Sequence, residues 1–310
     1  MAGKTARINK TKKQPKQPFH IYFKHHWWLY AMFLPGAIYF IVFKYIPITN
    51  LVIAFQDYNP WLGLFKSPFE NFFRGHDFFM LLRNTLAISF LNLIFYFPMP
   101  IIVALLLNEI KNYRYKSSIQ TMIYIPYFIS MVIVASITYT LLNERDGVIN
   151  MIIKEFSGET VKFLSGKEYF RGIIVIQNIW KETGWGMIIF LAALAGVDVE
   201  LYEAARVDGA GRWKQMWHIT LPAIRGTIVI MLILRVGAIL NTGFEQIFLM
   251  SNSLNRSVAE VFDTYVYRLG ITNGQYSFST AVGLFKGIVG CIMVLGTNWV
   301  AKRCGETGIY

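Results

Sequence analysis

The sequence predicts an all-α protein that crosses a membrane with six helices. Of its 310 residues, 55% are hydrophobic and only 15% are charged, which excludes an ordinary soluble domain. A helix needs about 20 mostly apolar residues to cross the hydrocarbon core of a bilayer. Six stretches meet this requirement, at about 28–54, 84–109, 118–142, 172–196, 223–250 and 279–301. The chain is therefore divided into an N-terminal tail, 1–26, and a membrane domain, 27–310.

The distribution of positive charge sets the expected orientation. The region before the first span contains basic residues and no acidic residue: Lys4, Arg7, Lys10, Lys12, Lys13, Lys16 and Lys24. Lys and Arg accumulate on the cytoplasmic side, so we expect this tail, and with six spans the C-terminus as well, to be cytoplasmic. The net charge of +12 then reflects topology and attraction to lipid headgroups, and nucleic-acid binding is not expected. The tail 1–26 is expected to be disordered.

The second and third predicted spans contain prolines near their middle. Pro98 and Pro100 lie in the second span, and Pro126 lies in the third. Proline removes a backbone hydrogen bond and bends a helix, which a bilayer tolerates only where neighbouring helices or a cavity accept the freed groups. We expect these helices to border a pathway or a tight bundle core.

Two polar segments, 143–171 and 251–278, are expected on the external side. The second contains apolar residues at helical spacing, namely Val258, Val261, Phe262, Tyr265 and Val266. This periodicity predicts an amphipathic helix near the outer surface.

The fourth and fifth spans carry charged, amide and aromatic side chains that are costly in hydrocarbon unless they are paired or face water. These candidates for a substrate pathway are Trp180, Lys181, Glu182, Trp185, Arg235, Asn241, Glu245 and Gln246. Aromatic faces with polar groups suit a sugar. An interhelical ion pair, in which Lys181 or Arg235 meets Glu182 or Glu245, explains the same residues equally well.

The stretch EAARVDGAGRWKQMWHITLP, residues 203–222, interrupts two apolar runs with an ordered pattern. Asp198 is a predicted N-cap of a short helix, and Gly209 provides a residue at which the backbone can turn. A second short helix is predicted from about Arg212. The segment is therefore predicted to be two helices joined at a glycine corner, an arrangement that suits docking.

This spacing resembles the EAA loop of the permease subunits of ATP-binding-cassette importers. The matching positions are Glu203-Ala204-Ala205, Gly209, Ile219 and Leu221-Pro222. The stretches TNLVIAFQDYNPWLG and DTYVYRLGITNGQYSFSTAVGLFKGIVG resemble oligosaccharide permeases of the LplB type, within the maltose-type sugar permease class.

The resemblance implies that loop 197–222 is a cytoplasmic coupling helix that contacts an ATPase. The expected coupling residues are Glu203, Ala204, Ala205, Asp208, Gly209, Ala210, Arg212, Trp213, Ile219, Leu221 and Pro222. It also implies a bacterial cell membrane as location and three partners, namely a second permease subunit, an ATPase dimer and an extracellular solute-binding protein.

The sequence has no Walker A pattern, no hydrolase motif and no grouped metal ligands. We therefore expect no catalytic, cofactor or metal site on this chain, with ATP and Mg²⁺ bound by the partner ATPase. The expected cargo is an oligosaccharide or complex glycan. The alternatives are an importer of the same type for another solute, such as a peptide, and a stand-alone secondary transporter or channel.

Overall fold

The computed structural model describes residues 19–55, 58–59, 63–64, 76–306 and 308–309. The described residues up to 52 and those from 53 onward form two compact units. The first unit is built on helix α1, Phe19–Phe40, which is kinked at His26 and leads into a π-helical turn, Ile41–Tyr45. The turn is followed by the short helix Ile46–Ile48 and the 3₁₀ helix Thr49–Phe55.

Helix α1 corrects part of the predicted tail. It begins at Phe19, inside the segment 1–26 for which disorder is predicted, while residues 1–18 lie outside the described residues. The physical reason is local. The stretch FHIYFKHH, residues 19–26, contains neither glycine nor proline, so no helix-breaking residue separates Phe19 from the rest of α1.

The second unit is helical apart from one minimal hairpin in the described residues. Strand β1, Tyr58–Asn59, pairs antiparallel with β2, Gly63–Leu64. The helices are α2 His76–Leu91, α3 Pro98–Asn108, α4 Tyr113–Phe128, α5 Met131–Leu142, α6 Val148–Ser157, α7 Lys167–Ala195, α8 Val199–Val207, α9 Arg212–Gln215, α10 Arg225–Gly237, α11 Phe244–Met250, α12 Arg256–Ala259, α13 Phe262–Val266 and α14 Tyr276–Arg303. Further helical turns are Asn92–Tyr96, Met216–Thr220, Leu221–Ala223 and Tyr267–Thr272. The prediction of an all-helical protein is confirmed.

Three helical segments in the described residues are long and apolar enough to cross a membrane unaided: Phe23–Phe55, Asp77–Asn108 and Tyr276–Arg303. Three bent pairs meet the same criterion together: α4 with α5, α7 with α8, and Arg212–Ala223 with α10, bent by 96°, 70° and 57°. By length and composition, the described residues therefore contain three candidate spans, or up to six if each bent pair forms one span.

Two predicted spans are not continuous helices. The third is broken at Ile129 and Ser130, whose backbones are extended, just after Pro126. The fifth is broken between Gly237 and Phe244, where the turn includes a glycine, Gly243, with φ of +87°. Apolar sequence continues across the first break, so hydropathy does not reveal it, whereas the second break coincides with the polar residues Asn241 and Thr242.

The predicted external amphipathic helix is also corrected. It consists of two short helices, α12 and α13, and both Val261 and Phe262 are fully buried. Their apolar side chains pack into two core clusters, with Ile247 and Leu240 respectively, so the spacing reflects core packing here.

Helix α7 is the central helix of the second unit, because it packs closely against both α3 and α4. Two glycines permit this approach. A Cβ on Gly184 would overlap the backbone carbonyl of Ile123, and a Cβ on Gly186 would lie 2.8 Å from Pro100 Cγ. Close packing of α7 places its polar side chains beside the breaks in the neighbouring helices.

Candidate functional site

A cavity of about 370 Å³ lies beside α7 and the break between α10 and α11. We call it the central cavity. Its lining residues are Ser89, Asn92, Leu93, Tyr96, Met131, Asn178, Lys181, Glu182, Arg235, Val236, Ala238, Ile239, Asn241, Thr242, Gly243, Phe244, Glu245 and Gln246. Six of the eight predicted pathway residues are among them. The other two, Trp180 and Trp185, are not.

The two tryptophans lie outside the cavity wall. Trp185 stacks on Tyr127, with ring centroids 4.8 Å apart and planes within 8°. The side chain of Trp180 is 45% exposed and does not line the cavity. Helical periodicity separates Trp180 from Lys181 and Glu182, because adjacent residues face different sides of a helix, whereas Trp185 lies one turn beyond Lys181 on the same side and is occupied by Tyr127.

Lys181 holds the end of a broken helix. Its Nζ donates to the carbonyl oxygens of Tyr127 at 2.7 Å and Ile129 at 2.8 Å, at the C-terminal end of α4. These carbonyls lose their helical partners at the break, and a cation is favoured at a helix C-terminus. Lys181 thus satisfies backbone groups that would otherwise be costly at membrane depth.

The predicted interhelical ion pair does not form within the part of the chain that the structure describes. Neither Lys181 nor Arg235 lies within ion-pair distance of Glu182 or Glu245. The guanidinium of Arg235 instead lies over the ring of Tyr96, with Cζ 5.1 Å from the centroid. Among the described residues, Arg235 has no hydrogen-bond partner, so its donors are available to the cavity.

Amide side chains form one wall of the central cavity. Gln246 Nε2 donates at 3.0 Å to the Ile174 carbonyl and at 3.0 Å to Gln177 Oε1. Asn178 Nδ2 donates to Asn92 Oδ1 at 2.9 Å. These bonds connect α7 to α11 and to the end of α2, so the wall is rigid rather than composed of freely rotating polar groups.

The break between α10 and α11 contributes backbone as well as side chains. Thr242 N lies 3.5 Å from Asp263 Oδ2, and the other oxygen of Asp263 pairs with Lys286. Thr242 Oγ1 is buried and, within the described residues, has no hydrogen-bond partner. A buried hydroxyl without a partner is costly, and this one lines the cavity.

Sequence reasoning missed Asn92, Tyr96, Asn178 and Thr242. A search for amide and hydroxyl side chains inside the apolar runs would have identified the two asparagines, because an amide is costly in hydrocarbon when it is unpaired. Nothing in the local sequence distinguishes Tyr96 from other interfacial tyrosines.

Loop 197–222 has the predicted two-helix geometry. Asp198 Oδ1 accepts from the backbone N–H of Glu200 at 3.0 Å and caps α8. At its end, Gly209 has φ of +74°. Ala210 N donates to Ala205 O at 2.8 Å, and Gly209 N donates to Arg206 O at 3.0 Å. This pair of bonds is a Schellman motif, which requires the left-handed conformation at Gly209.

The second helix begins at Arg212, as predicted, and continues without a break to Ala223, where it forms the bent pair with α10. Two contacts close the corner: Gln215 Nε2 donates to Ala210 O at 2.7 Å, and the hydroxyls of Tyr202 and Thr220 lie 3.0 Å apart. The two helices therefore form one rigid unit.

Large apolar side chains cover the outside of this unit. Val207 is 88% exposed, Trp213 72% and Trp217 59%. Glu203, Ala204, Asp208 and Arg212 are also exposed, whereas Ala205, Ala210 and Ile219 are half-buried between the two helices. Large apolar side chains exposed on a polar loop favour an interaction surface.

Comparison with known proteins agrees with this architecture. Residues 96–305 match the family described as binding-protein-dependent transport system inner membrane component. The chain belongs to this family. It is thus a permease subunit of an ATP-binding-cassette transporter, which confirms the resemblance seen in the sequence.

Two relatives from Bacillus subtilis (strain 168) are similar to this permease over most of its length. Protein LplB is 57% identical over 289 residues, which cover 91% of each chain. The polygalacturonan/rhamnogalacturonan transport system permease protein YteP is 51% identical over 305 residues, covering 96% of this permease and 95% of YteP.

A solved structure is also similar. It is a bacterial alginate ABC transporter in complex with an alginate pentasaccharide-bound periplasmic protein, and one of its chains superposes on this permease with a TM-score of 0.86 at 40% identity. The match covers 94% of this permease and 99% of that chain.

In the described residues of this permease, no group of three or more His, Cys, Asp or Glu is placed to hold a metal ion.

Proposed function

We propose that this permease forms half of the pathway of an ATP-driven oligosaccharide importer and that the central cavity holds part of the sugar as it passes. The observation that carries this proposal is the central cavity itself, a polar space inside an apolar helical bundle. Sugar hydroxyls need both donors and acceptors. Glu182 and Glu245 provide acceptors, and Asn241 provides both.

The sugar is proposed to be acidic. The relatives include a permease for polygalacturonan and rhamnogalacturonan and a transporter in complex with alginate-bound protein. In the central cavity Arg235 has an unpaired guanidinium, and guanidinium binds carboxylate with two parallel hydrogen bonds. A uronate would satisfy Arg235 through its carboxylate, while its hydroxyls face Glu182 and Glu245.

Loop 197–222 is proposed to dock on a cytoplasmic ATPase dimer that binds ATP and Mg²⁺. The exposed apolar cluster of Val207, Trp213 and Trp217 supports this proposal, because such residues are costly in water unless a partner covers them. Closure of the ATPase would move the rigid two-helix unit, and α10, which continues from it, would move with it. A second permease and an extracellular binding protein complete the importer, with both termini of this chain in the cytoplasm.

The test is purification of the permease from its native membrane in mild detergent, with mass spectrometry of the proteins that remain bound. We expect a Walker-A-bearing ATPase with the wild type and its loss from Glu203→Lys, since reversal of charge disturbs the docking surface. Glu155→Lys, on the exposed face of α6, is the matched control and should retain the ATPase. A permease that is isolated alone in every case would contradict the proposal.

Transport completes the test. Proteoliposomes that contain the importer and its binding protein should accumulate trigalacturonate only when ATP is hydrolysed. Accumulation without ATP would favour a secondary transporter or channel, and uptake of a peptide in place of the sugar would favour an importer of another solute.

A further inference from the structure

A second cavity, of about 520 Å³, lies outside the central one. Its lining residues are Phe248, Ser251, Asn252, Ser253, Arg256, Glu260, Thr264, Tyr267, Arg268 and Thr272. We call it the arginine cavity. It is formed by the segment 251–278, which is expected on the external side, together with Phe248 of α11.

Two arginines share one carboxylate in the arginine cavity. Arg256 Nε lies 3.1 Å from Glu260 Oε2, and Arg268 Nη2 lies 2.7 Å from Glu260 Oε1. The side chain of Glu260 is only 8% exposed, whereas those of Arg256 and Arg268 are 50% and 38% exposed. Arg256, Arg268 and Glu260 together carry one excess positive charge, which the nearby carboxylate of Asp77 offsets in part, and the N–H donors that do not bond Glu260 are accessible.

The scaffold under the arginines is fixed. Asn84 Nδ2 donates at 3.0 Å to the carbonyl oxygens of Ser257 and Glu260, so α2 holds the turn that carries Glu260. Asp77 also lies near the group, because its carboxylate accepts the Tyr265 hydroxyl at 2.9 Å, but it does not line the cavity. Burial, assisted by this hydrogen bond, raises the pKa of Tyr265 to about 12, so the phenol stays a donor to Asp77.

Three aromatic rings connect the two cavities. Phe244 lines the central cavity, while Phe248 and Tyr267 line the arginine cavity. The ring centroid of Phe244 lies 5.2 Å from that of Phe248 and 5.0 Å from that of Tyr267, and the last two are 5.2 Å apart. The shared wall is thus made of aromatic faces, which suit the C–H surface of a sugar ring.

We propose that the arginine cavity is a second binding site, in which Arg256 and Arg268 hold the carboxylate of an acidic sugar residue before it passes the aromatic wall into the central cavity. This inference rests on the proposed function, since it names a station on the same pathway. Two accessible guanidiniums over a buried counter-charge match a carboxylate in geometry and charge. The exposed hydroxyl of Ser253 is available for a hydroxyl of the same sugar residue, and Ser251 Oγ, which donates to Phe248 O at 3.1 Å, can still accept a hydrogen bond.

The experiment measures ligand protection at two positions in the complete importer in nanodiscs, without the binding protein. Cys291 and Cys304, both exposed, are first replaced by Ser. Ser253→Cys then reports on the arginine cavity and Asn241→Cys on the central cavity, through their rates of reaction with the neutral reagent N-ethylmaleimide. The probe is trigalacturonate, compared with its uncharged trimethyl ester.

Trigalacturonate at about ten times its Kd should slow labelling at position 253 about tenfold, because the rate follows the unoccupied fraction. The ester should not slow it. Replacement of Arg256, Arg268 and Glu260 together by Gln removes the charged donors without leaving a buried unpaired carboxylate. It should raise the Kd about tenfold, so that protection falls to about twofold. Arg145→Gln, an exposed arginine elsewhere on the predicted external side, should retain full protection.

Protection at position 241 without protection at position 253 would overturn the second site and leave the proposed function intact. In a parallel sample to which the binding protein is added without sugar, protection at position 253 that trigalacturonate does not give would overturn it too, since the arginines would then serve a protein contact. Failure of protection at both positions, together with failure of uptake, would overturn the acidic-sugar function and the second site with it.

Discussion

Gly209 and Gly211 lie two residues apart in the same corner, and the structure predicts opposite outcomes for the same substitution. Gly209 has φ of +74°, and a Cβ added to it would meet no atom within 4 Å, so its requirement for glycine comes from the backbone alone. Gly211 has φ of −68° and ψ of 166°, and its surroundings are equally open. Alanine is therefore strained at the first position and unstrained at the second.

The magnitude follows from the left-handed conformation. A Cβ in this region costs about 1–2 kcal/mol, which lowers the population of the formed corner by up to about 5–30-fold. The two hydrogen bonds that Ala210 N and Gly209 N donate stabilise the formed corner, so the decrease of about 5–30-fold is an upper limit. Asparagine tolerates the left-handed region, so Gly209→Asn should cost less than Gly209→Ala. Gly211→Ala should be neutral.

The assay is the affinity of the purified ATPase for the permease in nanodiscs, together with ATP hydrolysed per sugar transported. We expect weaker ATPase binding and poorer coupling in the order Gly209→Ala, then Gly209→Asn, with Gly211→Ala equal to the wild type. Equal losses for Gly209→Ala and Gly211→Ala would refute the backbone argument. A larger loss for Asn than for Ala at position 209 would show that side-chain size, and not φ, matters there.

Three further predictions concern packing and charge in the bundle. Gly184→Ala should lower stability by about 1–3 kcal/mol in detergent thermal unfolding, because the Cβ meets the α4 backbone, whereas Gly283→Ala, with open space around it, should not. Lys286→Met should lower the free energy of unfolding by about 3 kcal/mol, because it leaves Asp263 unpaired. The double variant with Asp263→Asn should recover most of this stability. Additive losses of stability in the double variant would contradict the pairing. Arg235→Gln should reduce trigalacturonate uptake about tenfold and alter maltotriose uptake less than about twofold, and equal reductions for both sugars would exclude carboxylate recognition by Arg235.

The polar residues of the fourth span show how far sequence reasoning reaches for the site. Lys181, Glu182, Trp180 and Trp185 are close together along the chain, yet only the first two line the central cavity. The orientation of α7 separates them, and this orientation depends on glycines at its contacts with α3 and α4. The partner of Lys181 could not be predicted either, because it is a pair of carbonyls freed by a break in another helix.

The amino-acid sequence by itself determined the helical membrane class, the two-helix loop with its corner at Gly209, and the family. These properties depend on composition, on local backbone preference and on a motif of about 20 residues, all of which are local. Only the tertiary structure decided where the third and fifth spans break, which polar side chains share the central cavity, and that Arg256 and Arg268 meet at one carboxylate. Those features arise from contacts between segments far apart in sequence, and hydropathy, which averages over a window, does not register them.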